Sequence, residues 1–394
     1  MDHYIIPEML NSNNHFRAIK IANYEQACKE YETCTTELKS LPSKIILQTT
    51  DKCNLTCPIC QISPSQKKIS MQLKIFERVV EQLFPTLIEL HPTNIGEPLV
   101  SPWFNYMCEQ MEHYGVLLDL TTNGTLLNEP RIAKIVPIIR DIKISFDGAS
   151  KKTFEEKRRG AKFEIVCNNI IKLRKALDEN KTSNKVNLAL QMTLMRTNYL
   201  ELPNLIKLAS DLGANCVKAY HLFSFSPEMD QESLMGDLKI WIPILDKALE
   251  LGKLYNIELQ LAEPILVNTQ IRPDFESTIC HLPWHEAWID YDGKVYSCHS
   301  HNGQNAGNIF EKDFSLIWNS DLYKNMRLAF LNNKPRGSCY NCGMNFRKKE
   351  EHQPVTYDTQ SFLSSKHPNQ KQPLENIKWS NRMRPFDLSG RTKQ

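Results

Sequence analysis

The chain predicts an α/β fold, a partial (β/α)6 TIM-like barrel followed by a small cysteine-rich α+β module. Three observations carry this reading. Between Lys44 and Tyr220, short apolar runs of strand length alternate with longer runs whose apolar residues recur at helical spacing. Such alternation implies a parallel sheet with helices on its outer face. Polar, glycine-bearing loops recur after the predicted strands, the face that carries chemistry in barrels of this type. Past Cys280 the composition shifts, and four cysteines and a hairpin signal follow.

Taken in order, residues 45–49 read as the first strand and 71–84 as a helix with Phe76, Val79, Val80 and Leu83 on one face. A strand at 87–92 and a helix at 103–114 follow. Strands at 116–121 and 142–146 precede a helix over 163–177, which aligns Phe163, Val166, Ile170, Leu173 and Leu177. A strand at 186–194 leads to a helix over 202–212, with Pro203 in its first turn and Gly213 past its end. The sixth strand is 216–220. Around this barrel (41–223) the chain divides into a helical extension (1–40, helix near 18–38), a linker (224–279), the cysteine-rich module (280–344) and a polar tail (345–394). The linker holds a helix over 238–254 despite Pro243. In the module, Asp292-Gly293 between β-rich runs marks a hairpin that brings Cys280 toward Cys298. A helix over 322–331 delivers Cys339 and Cys342.

Composition sets the bounds. A chain of 394 residues can bury one large core and a smaller module. Its net charge of +3 is too balanced for a nucleic-acid footprint. No apolar run approaches the ~20 residues that span a bilayer, so no membrane partner is expected. Twelve cysteines without a secretory signal pattern point to the cytoplasm and to metal or redox chemistry.

The sharpest signal is Cys53-Asn54-Leu55-Thr56-Cys57-Pro58-Ile59-Cys60. Three thiols cannot close a tetrahedral zinc site or give a cubane cluster four-thiolate ligation. Either a distant residue completes the set, or one iron stays open to a small molecule. The run resembles the radical S-adenosylmethionine (SAM) superfamily, down to Asn54-Leu55, with Ile59 where an aromatic is usual. The resemblance implies a [4Fe-4S] cluster on Cys53, Cys57 and Cys60, with SAM on the fourth iron. It continues in Asn94-Ile95-Gly96-Glu97-Pro98, Thr122-Asn123-Gly124 and Ser145-Phe146-Asp147-Gly148, each after a predicted strand. Gly96 lets backbone approach a ligand closely, and Glu97 can accept from an ammonium group. The family's pattern implies Ser145 at the ribose and Arg158, with Arg159 as rival, at the carboxylate. The SAM-binding set is then Gly96, Glu97, Asn123, Ser145, Asp147 and Arg158, and the resemblance spans roughly 44–222.

Cys280, Cys298, Cys339 and Cys342 form a closed four-thiolate set, which would also suit zinc. Together with Leu282-Pro283-Trp284, Gly293, Gly307-Asn308-Ile309 and Ile317-Trp318-Asn319, they resemble the SPASM/twitch extension of radical SAM enzymes. Seven-cysteine versions carry two auxiliary clusters. Four cysteines imply one, and so two [4Fe-4S] clusters in all.

Strand alternation places Cys216, Lys218 and Tyr220 on one face, as it does Asn187, Gln191 and Thr193, and Glu89 and His91. Lys218 and His91 are candidate bases, and Cys216 a candidate hydrogen-atom donor. The expected activity is reductive SAM cleavage and hydrogen abstraction. The favoured outcome is dehydrogenation of a small sugar- or aminocyclitol-like substrate, with the auxiliary cluster as electron acceptor. A flavodoxin- or ferredoxin-type reductant is expected. Alternatives are a radical epimerase and a maturase of ribosomal peptides, for whose leader-binding domain residues 1–40 are too short. A reading of another class is a non-catalytic electron carrier, which would need no SAM pocket.

Overall fold

Seven strands lie side by side in chain order, all parallel: β1 (Lys44–Leu47), β2 (Glu89–His91), β3 (Leu117–Thr122), β4 (Ile139–Ser145), β5 (Asn187–Leu194), β6 (Cys216–His221) and β7 (Glu258–Leu261). The computed structural model describes residues 10, 14–61, 68–180, 186–222, 224, 226–234, 238–261, 280–298, 304–332 and 378–379. Beyond β1, the other flank carries β8 (Glu286–Ile289), parallel to β1, and then β9 (Lys294–Tyr296) and β10 (Gly307–Asn308), antiparallel in turn. A short β11 (Lys378–Trp379) pairs in parallel with β7. The cysteine-rich module therefore continues the barrel's own sheet.

The alternation read from the sequence is realised. Ile142, Ile144, Leu188, Leu190, Val217 and Ala219 are fully buried in one hydrophobic core. The polar residues between them occupy the opposite face. Helix Phe163–Glu179 buries Val166, Ile170, Leu173 and Leu177, and helix Leu73–Leu83 buries Phe76, Val79, Val80 and Leu83. A mostly parallel sheet carries helices on its outer face because those apolar rows must be covered.

Several elements differ from expectation. β4 starts at Ile139, three residues before the predicted 142, because Ile139 and Asp141 already pair with Leu118 and Asp119 of β3; the register shift between them leaves Arg140 bulged, with Glu89 as its partner. Helices Glu129–Ile135 and Lys151–Lys157 were not expected. Each is announced by a cap: Asn128 accepts from the Arg131 N–H, and Ser150 from the Thr153 N–H. The segment 224–279 holds helix Leu238–Tyr255, as expected, but also β7, which pairs with β6. The first helix is Arg17–Glu32 and stops short of 38, where Cys34 takes a left-handed φ of 57°.

The N-terminal segment is bound into the fold. The Lys20 ammonium is buried and donates to the carbonyls of Phe84, at 2.6 Å, and Leu87. The loop after the helix is held by the C-terminal module. Trp284 Nε1 donates to Thr35 O at 2.8 Å, and Asn319 exchanges hydrogen bonds of 2.7 and 2.9 Å with Leu38. Among the described residues no helix is long and apolar enough to cross a membrane.

Candidate cofactor site and barrel interior

The cysteine loop leaves the C-terminal end of β1 already tied to its neighbours. The Glu97 N–H donates to Lys52 O at 2.8 Å and the Thr56 N–H to Arg159 O at 3.0 Å. Asn54 donates to Thr125 Oγ1 at 2.8 Å and accepts from Asn123 Nδ2 at 2.9 Å. The Leu55 N–H, at 3.4 Å, and Asn123 Nδ2, at 3.8 Å, both point at Cys53 Sγ. Cys53 and Cys57 are half-buried and Cys60 is exposed. Burial pushes the Cys53 and Cys57 thiols up, and the Arg158 guanidinium pulls Cys57 back. Among the described residues no three His, Cys, Asp or Glu side chains converge tightly enough for a single metal ion. Three soft thiols on one loop, two half-buried and one exposed, are the donor set for one face of a cubane cluster.

The loops after β2, β3 and β4 close around this one. Gly96 has a φ of 87°, and a Cβ there would lie 2.6 Å from Thr50 O. The close backbone approach expected of Gly96 is thus made to the chain entering the cysteine loop. Glu97 is buried and accepts from Thr122 Oγ1 (2.7 Å), the Asn123 N–H (2.7 Å) and the Leu99 N–H (3.2 Å). Burial raises its carboxyl in spite of these bonds. Its oxygens therefore already join the second loop to the third. Ser145 is buried at the end of β4. Asp147 Oδ1 accepts from the Thr193 N–H at 2.7 Å, and Oδ2 faces Arg158 Nε at 2.6 Å. Arg158 is near enough to act on Glu97 and Cys57, so one guanidinium spans the cysteine loop and the carboxylates around it. Arg159 is exposed and serves the loop through its carbonyl.

Below these loops the inward face is a network of charge. Lys44 meets Glu89 at 2.5 Å and Asp119 at 3.3 Å, and Arg140 meets Glu89 at 2.5 Å. Asp119 is also paired with Lys143 and stands 3.4 Å from His91 Nδ1. Burial opposes ionisation of Asp119, but Lys143, His91 and Lys44 together hold it well below the usual carboxylate range. Lys218 lies 3.5 Å from Asp141. Burial alone would lower Lys218, yet Asp141 lifts it above the ordinary lysine value. Lys218 is therefore held as a cation, the wrong state for a base. Cys216 is fully buried and is the first residue of β6, at the strand end opposite the cofactor loops. Sequence reading singled out Lys218 and His91 but missed Asp119, Asp141 and Lys143. The signal was there: Asp141, Lys143 and Ser145 alternate with Ile142 and Ile144.

In the module, hairpin β8–β9 carries Cys298 back toward the start of β8, and the short helix Leu282–His285 places Cys280 just before it. Cys280 is buried and Cys298 half-buried. Each acts on a tyrosine: Cys280 on Tyr31 of the first helix, which packs against Trp284, and Cys298 on Tyr323 of the module. Two soft thiols at one end of a hairpin fit half of a four-thiolate site. Cys339 and Cys342 lie outside the described residues.

Comparison with known proteins follows the same division. The radical SAM superfamily model matches residues 47–217, and the model of the SPASM iron–sulfur cluster-binding domain matches 280–343. Over 325 residues the chain is 25% identical to the tungsten-containing aldehyde ferredoxin oxidoreductase cofactor-modifying protein of Pyrococcus furiosus, covering 76% of this chain and 87% of that one. It is 22% identical over 318 residues to the PqqA peptide cyclase of Gluconobacter oxydans, covering 77% and 84%. The structure of Streptococcus suis SuiB bound to its precursor peptide SuiA superposes with a TM-score of 0.58 at 15% identity, over 80% of this chain and 73% of that one. With both domain models in their places along one parallel sheet, the chain belongs to the radical SAM superfamily and carries a SPASM iron–sulfur domain.

Proposed function

We propose that this radical SAM enzyme modifies a peptide, acting as a SPASM-type maturase. The observation that carries the reading is kinship over three quarters of the chain with a peptide cyclase and a cofactor-modifying protein. The preference for a sugar- or aminocyclitol-like substrate rested on the four-cysteine set and the short N-terminal segment, and these relatives favour the peptide alternative over it. The barrel interior is compatible with a peptide. Gln191, Thr193, Tyr220 and Trp288 are only half-buried on inward positions, and they offer amide, hydroxyl and aromatic surfaces to a backbone and its side chains.

Cys53, Cys57 and Cys60 would hold the first cluster, with SAM beside it. Bound and reduced, that pair supplies a 5′-deoxyadenosyl radical able to take hydrogen from an unactivated C–H bond. The chain's part is to hold and orient. Asn54 and Asn123 fix the cysteine loop against β3. Arg158, anchored by Asp147, would offer its guanidinium to the SAM carboxylate, and Ser145 would meet the ribose. Glu97 fixes the loop that receives the SAM ammonium, since its oxygens are engaged by Thr122 and Asn123. His91 and Lys218 stand beside the buried carboxylates of Asp119 and Asp141, and Lys218 acts as a fixed cation. Cys280 and Cys298, with Cys339 and Cys342, would hold the auxiliary cluster as electron acceptor.

The test is product analysis. Reduced, reconstituted protein with SAM should yield 5′-deoxyadenosine and methionine, faster when a peptide encoded beside its gene is present, and the peptide should change mass. Turnover that ignores every such peptide but responds to an aminocyclitol would return the reading to the small-molecule class.

A further inference from the structure

Helix Asp321–Leu331 buries Arg327 completely. Its Nε donates to Pro283 O, and its two terminal nitrogens donate to Thr36 O and Trp318 O, each at 2.9 Å. The guanidinium also lies 4.9 Å from the Trp318 ring centre and 5.2 Å from that of Tyr323. Among the described residues no carboxylate forms an ion pair with it. Glu30 is close enough to act on it, but the Glu30 oxygens already accept from the Lys39 N–H, the Ser40 N–H and Ser40 Oγ. Buried charges are usually paired, because desolvation is costly. This one is solvated by carbonyls and ring faces, so its charge is satisfied but not cancelled.

Its position gives that charge a use. Pro283, which receives Nε, follows Cys280 by three residues. Tyr323, which receives the guanidinium on its face, donates its hydroxyl to Tyr296 O at 3.1 Å, two residues before Cys298. Arg327 is therefore tied, through Pro283 and through Tyr323, to the two chain segments that carry the described thiols of the auxiliary site. One-electron reduction makes a four-thiolate cluster more negative, and a buried cation favours the more negative form. Net charge, hydrogen bonding and exposure are the levers that set such potentials. We propose that Arg327 raises the reduction potential of the auxiliary cluster and so makes it an electron acceptor. The inference rests on the reading that Cys280 and Cys298 hold that cluster. It goes further by assigning the tuning charge to a residue that is not a ligand.

The test is an EPR-monitored potentiometric titration of the full chain with both clusters reconstituted. The first cluster is recognised by the signal that changes when SAM is added. In Arg327→Gln the midpoint of the SAM-insensitive signal should fall by the equivalent of a tenfold change in the reduced-to-oxidised ratio, about 59 mV for one electron. Arg327→Lys, which keeps the charge, should restore most of it. An unmoved midpoint in Arg327→Gln with full iron content, or equal falls in both variants, would overturn the proposal. If Arg327→Gln does not retain its C-terminal cluster, Glu30→Gln decides. Removing that negative charge should raise the midpoint, and no rise would overturn the proposal. Wild-type protein that binds only about four irons, one cluster's worth, would instead sink the auxiliary-cluster reading beneath it, and this inference with it.

Discussion

Arg158 is the side chain with the most to lose if the SAM pocket lies where the loops place it. Truncating it to Ala removes a charge-assisted hydrogen bond, worth roughly 1.5–3 kcal/mol, and should weaken SAM about ten- to a hundredfold while the first cluster stays bound. Glu97→Ala should weaken SAM too, but through the loop, so Glu97→Gln should recover part of the loss. SAM titrations of the three variants that agree with wild type would mean that the pocket lies elsewhere. Cys216 is the opposite case. Buried at the far end of β6, it should tolerate Ala with a stability loss of about 1 kcal/mol and unchanged SAM cleavage and product. A Cys216→Ala enzyme that cleaves SAM but forms no product would restore it as a hydrogen donor. His221 gives a pH signature. Burial against Trp241 pushes it down to about 4, from the ordinary value of 6.5. Its depressed folded value means that the unfolded chain binds the proton first as pH falls. Stability should be full above about 6.5 and decline by roughly 1.4 kcal/mol per unit toward 4. Denaturant midpoints across that window, in wild type and in His221→Phe, should diverge by that slope.

At the scale of elements, the cofactor loops are one assembly. Gly96 is its keystone, because its positive φ and the carbonyl of Thr50 leave no room for a side chain. Gly96→Ala must move the entry to the cysteine loop, so iron content should drop from about eight per chain toward about four, with the auxiliary cluster retained. Full iron in that variant would show that the loop can be built without this contact. β4 makes the same point from inside the barrel. Its inward row, Asp141, Lys143 and Ser145, runs from the charge network up to the cofactor end. One strand thus connects the rigid floor to the site.

On the scale of the whole molecule, β8 joins the module to β1, and Trp284 and Asn319 clamp the loop after the first helix. The auxiliary site and the barrel are thereby held in one sheet. Reconstituted protein should carry about eight irons, and a Cys53/Cys57/Cys60→Ala triple variant about half of them. Zinc in the C-terminal site after anaerobic reconstitution would defeat the second cluster.

Read alone, the sequence determined what depends on local period and spacing. From 44 to 220 the six strands and the longer helices were legible because apolar residues recur at two or at three to four, while the two seven-residue helices were too short to show a period. The cysteine loop was legible because its thiols sit within one turn of chain. Caps at Asn128 and Ser150 were also legible in principle, as polar residues before short helices. Tertiary structure alone decided what depends on distance between segments. β7 is four residues long, and pairing with β6 and β11 makes it a strand. Asp141 and Lys143 can be read as inward positions from their alternation with Ile142 and Ile144, but their pairing with Asp119 and Lys218 into one buried network exists only when β3, β4 and β6 face one another. Arg327 likewise reads as a solvated helix residue until Pro283, Thr36 and Trp318 surround it. A charge's meaning is set by its partners and by the water taken from it, and neither is written in its neighbours along the chain.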